Sequence, residues 1–196
     1  MRFSLLFALL LVTSCASTPA PTPSAAQILA KPLHSSLRDA HFSLVESVPA
    51  PPSTHTATGS GILTLHPLAI SWSEVADPPL DPGRFEFTSL AGADYSRVTF
   101  APGTGPWHST PSTWVLSNPT VWPTLITARP LGSPSLNHQA TWHVQADSTN
   151  PASTVDLWVR QSDGYPLKLV TVDPDGTSFV YIFSSFNSGA TIRAPY

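Results

Sequence analysis

The chain has 196 residues, a formal net charge of −3 and nine Lys and Arg that form no cluster. Without a basic patch to neutralise a phosphate backbone or an anionic lipid headgroup surface, the composition speaks against nucleic acid as a partner. Charged residues are 11% of the chain, well below the ~25% of ordinary globular proteins, so its 47 Ser and Thr must cover much of the surface.

Arg2 gives the amino terminus a positive charge, and Phe3 to Val12 (FSLLFALLLV) follow as an apolar run of ten residues interrupted only by Ser4. That is about half of the ~20 needed to span a bilayer as a helix, the length of a secretion signal. The next residues, VTSC, resemble the bacterial lipobox, in which the cysteine is lipidated and becomes the first mature residue. An ordinary signal peptide cleaved near Ala16 or Ala20, with Cys15 discarded, is the alternative. Against it stands the absence of any other cysteine: Cys15 has no disulfide partner in residues 16–196, so lipidation gives it a task of its own. Each buried methylene contributes ~0.8 kcal/mol, so one acyl chain holds a protein reversibly and a diacylglyceryl cysteine with its palmitate-type chains holds it stably. ASTPAPTPS (16–24) has three prolines and no large apolar group, and it cannot bury enough surface to offset the entropy of ordering. The resulting division is a lipoprotein signal peptide over 1–14, a lipidated Cys15 with a flexible Pro/Ser/Thr tether over 15–25, and a single β-rich domain over 26–196.

In AAQILAKPLHSSLRDA (25–40), Leu29, Leu33 and Leu37 recur every four residues and predict a helix, with Pro32 starting or kinking its regular part. From His41 the period becomes two. HFSLVESV (41–48) places Phe42, Leu44 and Glu46 on one side, and the PAPPS turn ends it. GSGILTLHPLAISWSEV (59–75) holds one or two strands with a break at His66-Pro67, ADPPLDPG (76–83) is a loop, and RFEFTSL (84–90) and YSRVTFAP (95–102) make a hairpin. Residues 103–139 are the least regular, with a short helix expected at 119–128 behind a cap at Ser117 or Asn118. ATWHVQA (140–146), VDLWVRQ (155–161), PLKLVTV (166–172) and SFVYIFSSF (178–186) are separated by Asn150-Pro151, Asp163-Gly164 and Asp173-Pro174-Asp175-Gly176, which predicts an antiparallel meander.

Both faces of this meander carry apolar bulk. Val155, Leu157 and Val159 oppose Asp156, Trp158 and Arg160, and Val180 and Ile182 oppose Phe179, Tyr181 and Phe183. The helix of 25–40 can cover one face, so more protein or a ligand must cover the other. The six tryptophans (72, 107, 114, 122, 142 and 158) read either as core or as walls of a ligand cavity.

VDLWVRQSDGYPLKL and the terminal YIFSSFNSGATIRAP are similar to the carboxy-terminal strands of LppX/LprG-type bacterial lipoproteins, relatives of the LolA/LolB lipoprotein carriers. HFSL and GSGILTL, behind a lipobox, spacer and helix, agree with the same family, and the likeness covers residues 26–72 and 138–195. It implies an α+β, mostly β fold: a curved antiparallel sheet, or half-barrel, with one or two packed helices and an apolar cavity for acyl chains. It further implies a non-catalytic carrier with no cofactor, binding a lipid or glycolipid. On this reading Phe42, Leu44, Ile62, Leu65, Trp72, Trp142, Trp158, Leu169, Phe179 and Tyr181 are the candidates to line the concave side. The expected partners are the membrane, through lipidated Cys15, and the lipid; the expected state is a monomer secreted across the cytoplasmic membrane and anchored to the outer face of a bacterial membrane. The alternative is a surface-anchored scaffold or protein-interaction module with a filled core.

Other chemistry finds little support. His138 and His143, or His34 and His41, have no Cys or Glu at ligand spacing, and His143 is expected to bond a backbone partner. Asp173 begins a sequence like a calcium loop, but Ser184 stands where the bidentate acid belongs. Ser60 precedes a strand and lacks the strand-to-helix elbow of a nucleophile, and Asp77 and Asp81 lie in a proline loop. No metal site and no catalytic residue is expected.

Overall fold

Alternating side chains and strong turn residues build most of this molecule. A computed structural model describes residues 22–77, 83–90, 92–100, 103–111, 127–149 and 152–195. Among them one helix, α1 (Ala25–His34), precedes thirteen strands: β1 (Asp39–Ala50), β2 (Ser53–Leu65), β3 (Leu68–Ala76), β4 (Arg84–Leu90), β5 (Ala93–Phe100), β6 (Gly103–Thr104), β7 (His108–Pro111), β8 (Thr127–Gly132), β9 (Ser135–Leu136), β10 (Gln139–Thr149), β11 (Ala152–Arg160), β12 (Pro166–Val172) and β13 (Ser178–Ser184). All described pairings are antiparallel, in the order β6-β5-β4-β3-β2-β1-β13-β12-β11-β10-β8, with β7 beside β5 and β9 beside β10. Two meanders, β1 to β5 and β10 to β13, are thus joined along the β1–β13 seam, where Phe42 faces Phe183 and Leu44 faces Tyr181. The result is an open, curved, mostly antiparallel sheet with one helix, as the sequence predicts.

α1 starts in a capping box: the Gln27 N–H donates to Ser24 Oγ (3.3 Å) and the Ser24 N–H to Gln27 Oε1 (2.8 Å). The helix ends at His34, not at residue 40. Ser35 is already extended, its hydroxyl donates to the Pro32 carbonyl (2.7 Å), and Leu37, expected as the last rung of the helical stripe, enters the core from the connection to β1. Ile28 and Leu29 are buried, and α1 packs on β8, β10 and β11. The helix expected at 119–128 lies outside the described residues except for Thr127 and Ala128, which open strand β8. Cys15, Asp81, Trp114, Trp122 and the Asn150-Pro151 turn also lie outside them.

The turns follow their chemistry. At Gly176 (φ +86°) the hairpin from β12 to β13 closes with Asp173 N–H bonding the Thr177 carbonyl (2.8 Å). Gly164 (φ +79°) lets the β11–β12 hairpin meet the helix, because a Cβ there would stand 3.2 Å from the Lys31 Cβ.

Candidate functional site

Opposite residues of an antiparallel pair share a face, so the register sorts every side chain. One row runs Phe183, Phe42, Gly61, Trp72, Phe87 across five strands; the next runs Leu157, Leu169, Tyr181, Leu44, Gly59, Glu74, Phe85. These rows and their neighbours form the inner face, on which α1 sits at the β10–β11 end. Beyond the helix the face is aromatic. Phe42 makes edge contacts with Tyr181 (5.4 Å between centroids) and Phe183 (5.9 Å), and Trp72 lies 4.2 Å from Phe87 and 6.4 Å from Phe85.

Two glycines make this packing possible. A Cβ on Gly61 would fall 2.5 Å from Phe42 Cζ and 2.7 Å from Trp72 Cβ, and one on Gly59 would fall 2.8 Å from Glu74 Cβ. β2 therefore carries two missing side chains on its inner face, and the side chains of β1 and β3 occupy the space.

Eight of the ten residues nominated from the sequence belong to this face. Phe42, Leu44, Leu65, Trp72, Leu169 and Tyr181 are buried there, and Trp142 and Phe179 are half-buried, Trp142 beneath the Lys31 ammonium (4.5 Å to the ring centroid). Ile62 and Trp158 do not. Ile62 pairs with His41 and Ser71, and Trp158 with His143 and Lys168, all on the outer face. The bulk of Trp158 is covered without a ligand: His143 stacks on it at 4.0 Å, and Lys168 Nζ stands 4.8 Å above the ring. His143 finds a side chain, not the backbone partner expected of it: its Nε2 hydrogen-bonds Asp156 Oδ1 at 2.7 Å.

The inner face also carries acids that sequence reasoning did not single out as a site. Glu74 is 9% exposed, and its Oε2 has no hydrogen-bond partner. Glu46 lies on the neighbouring row, opposite Phe179, and Phe85 stands opposite Glu74. Burial, then the charge of Glu46, push the Glu74 carboxyl up to about 7, with the Trp72 indole pulling weakly the other way. Burial alone raises Glu46. Burial and the fields of Glu74, Glu46 and Asp173 together hold the proton on Tyr181. The available signal was a glutamate in an alternating apolar strand beside Gly-Ser-Gly: the missing side chain is where the acid lies.

The outer face holds a different feature, an open groove of about 630 Å³ over β1 to β4. Ser43, Ser60, Ser71, Ser73 and Thr88 line its floor, with Trp107 at its side. The Trp107 ring packs on Arg97 (4.7 Å), which pairs with Glu86 at 2.5 Å. This groove is hydroxyl-rich, unlike the apolar cavity expected for acyl chains.

The motifs behind the family resemblance converge on a structural latch. Tyr165 Oη, from the D-G-Y-P turn, hydrogen-bonds Ser36 Oγ (2.8 Å) and accepts from Asn187 Nδ2 (2.8 Å) of the F-N-S-G-A segment. Buried Asp39 accepts from the Ser188 N–H (2.9 Å), the Ser188 hydroxyl (2.6 Å) and the Gly189 N–H (3.1 Å).

No family model matches the chain, and no curated protein sequence matches it. Solved structures do. The lipoprotein LppX of Mycobacterium tuberculosis superposes with a TM-score of 0.56 at 9% identity, covering 86% of this chain and 98% of its own. A DUF1329 family protein of Desulfovibrio piger matches with a TM-score of 0.42 and 11% identity, covering 85% of this chain and 93% of its own. A LolA superfamily protein of Nitrosomonas europaea matches with a TM-score of 0.36 and 10% identity, covering 84% of this chain and 93% of its own. The chain shares the fold of LppX.

Proposed function

We propose that this protein is a non-catalytic lipoprotein of a bacterial cell envelope that binds the acyl part of a lipid or related amphiphile on the inner face of its sheet. The observation that carries the reading is the aromatic floor of Phe42, Trp72, Phe85, Phe87, Tyr181 and Phe183, which extends past the end covered by α1. An acyl chain replaces ring-to-ring contact with contact of the same kind, so the rings can part around it at small cost in burial. The likeness to a lipoprotein of the same fold supports this reading. No described helix is long and apolar enough to cross a membrane, and in this proposal residues 1–14 direct secretion, lipidated Cys15 and the tether to residue 25 hold the chain to the membrane, and 26–196 act as one monomeric domain.

The test is native mass spectrometry of protein purified from membranes, with brominated fatty acids titrated against tryptophan emission. Copurifying lipid, and quenching that weakens in Trp72→Phe, are expected. Clean apo protein with no quenching at any concentration would end the proposal. Replacement of Cys15 by Ser should move the protein from the membrane fraction to the soluble fraction; unchanged membrane retention would refute the anchor.

A second reading, an envelope interaction module with a filled core, is favoured by the outer groove and by the tightness of the inner packing, where Phe42 is 2% exposed and Leu44 1%. Apo protein in the same mass spectra would favour it.

A further inference from the structure

An apolar face accounts for the tail of an amphiphile and not for its head. On the inner face Glu74 and Glu46 occupy adjacent rows, and each stands opposite a phenylalanine, Phe85 and Phe179. Gly59 leaves the space over β2 into which the base of Glu74 extends, 2.8 Å from where a Gly59 Cβ would be. Glu74 is 9% exposed, and although the Trp72 indole reaches its carboxyl, Oε2 is left without a hydrogen-bond partner. A buried carboxyl oxygen without a donor is costly, and a chain that keeps one in an otherwise apolar wall has a partner that comes from outside.

No cation is among the groups whose charge acts on the Glu74 carboxyl. Lys31 lies over Trp142, Lys168 over Trp158, Arg97 on Glu86, Arg160 on Asp163, and Arg84 on Ser73. The groups whose fields reach this corner are Glu46 on β1, Glu74 on β3, Tyr181 on β13 and Asp173 after β12, and none is positive. His55 of β2 shares the face two residues beyond Ala57. Above about pH 7, where Glu74 is ionised, a cationic head would give Oε2 its missing partner, balance two glutamates and lie among the rings of Trp72, Phe85 and Phe179, whereas an anionic head would meet two like charges in a poorly solvated place.

We propose that Glu74 and Glu46, with Tyr181 beside them and these aromatic rings around them, form the seat for a cationic head group, an ammonium, on the amphiphile bound by the inner face. This rests on the amphiphile reading and names the ligand class that reading leaves open.

The test uses three single-chain amphiphiles of equal tail length below their micellar concentrations: dodecyltrimethylammonium, dodecyl sulfate and dodecyl maltoside. Each is titrated calorimetrically at about pH 8, where Glu74 is ionised, into the purified protein and into E74Q, E46Q and E86Q. The wild type should bind the ammonium about tenfold more tightly than the sulfate. In E74Q that preference should fall to within about twofold, and E46Q should fall between the two. Glu86, paired with Arg97 on the outer face, controls for net charge, and E86Q should keep the full preference. If all three bind wild type alike, or the preference survives in E74Q, the head-group seat is wrong while the amphiphile reading stands. If none of the three binds, both fall.

Discussion

Gly61 shows how one absent side chain organises the inner face. The space a Cβ would need is held by the Ser71 carbonyl oxygen, nearest of all, by Phe42 Cζ at 2.5 Å and by Trp72 Cβ at 2.7 Å, so a methyl enters only by displacing the β3 backbone and the ring contacts of Phe42 with Tyr181 and Phe183 and of Trp72 with Phe87. Gly61→Ala should therefore destabilise by about 1–3 kcal/mol through overpacking, read as a lower midpoint in urea, whereas Gly103→Ala, with nothing within 4 Å, should be nearly silent. Equal midpoints for the two variants would show that β2 can shift to admit the methyl. Glu74 makes the second prediction at this scale. Its carboxyl is raised from 4.5 to about 7 in the folded chain, so between those values the folded state holds a proton that the unfolded state has released. Stability is then fully present below the unfolded value and is lost as pH rises through the folded one, by at most about 3 kcal/mol. Denaturation midpoints from pH 4.5 to 8 should fall with pH in the wild type and fall less in Glu74→Gln; parallel curves would place the titration elsewhere.

Elements meet at the latch, where the connection into β1, the β11–β12 hairpin and the segment after β13 converge on Asp39 and Tyr165. Burial raises the Asp39 carboxyl, but donation from the Ser188 hydroxyl and from backbone N–H groups outweighs it and holds the acid below its ordinary value. Asp39→Ala leaves those donors unpaired and should cost about 2–3 kcal/mol at pH 7. The wild type has this stabilisation above the unfolded pKa and loses it as pH falls through the folded one, so the gap between wild type and Asp39→Ala should close in acid; a constant gap would assign the effect to packing. The same residues mark what was legible beforehand. Strands β4 and β12 fall where alternation and turns place them, because Pro, Gly and Asp interrupt the pattern at each end. The latch was legible only as a motif resemblance: its Asp39 bonds join residues about 150 positions apart, a separation that no local pattern encodes. The face of Trp158 was equally hidden, since both sides of β11 are apolar and its cover, His143 and Lys168, comes from two other strands. Ile62 is misassigned for a related reason. Gly59 and Gly61 take the inward positions around it, so its own bulk gives no sign that it faces out.

The whole molecule is two local meanders with one long-range seam, and α1 crosses that division. Only four residues separate its end at His34 from Asp39 in β1, yet it packs on β8, β10 and β11, on the far side of β13 and β12. Four extended residues reach about 14 Å and strands lie about 4.8 Å apart, so the connection after His34 can carry the chain past β12 and β13 while Lys31 stays over Trp142 of β10, and α1 ties the amino terminus to the carboxy-terminal half. Beneath it Val144, Leu157 and Val159 are completely buried, while Trp72 and Phe87, on the other meander, have one another. A chain starting at residue 36 should therefore lose its cover over one half only. Amide exchange should accelerate by orders of magnitude in β10 and β11 and much less in β2 to β4, because strands open locally where their apolar side chains are no longer covered. The milder Ile28→Ala, which removes a fully buried side chain of the same helix, should cost about 2–5 kcal/mol and show the same asymmetry in smaller measure. Uniform acceleration along the sheet would mean that the β1–β13 seam makes both halves a single cooperative unit; the asymmetric result would leave the aromatic half standing without the helix.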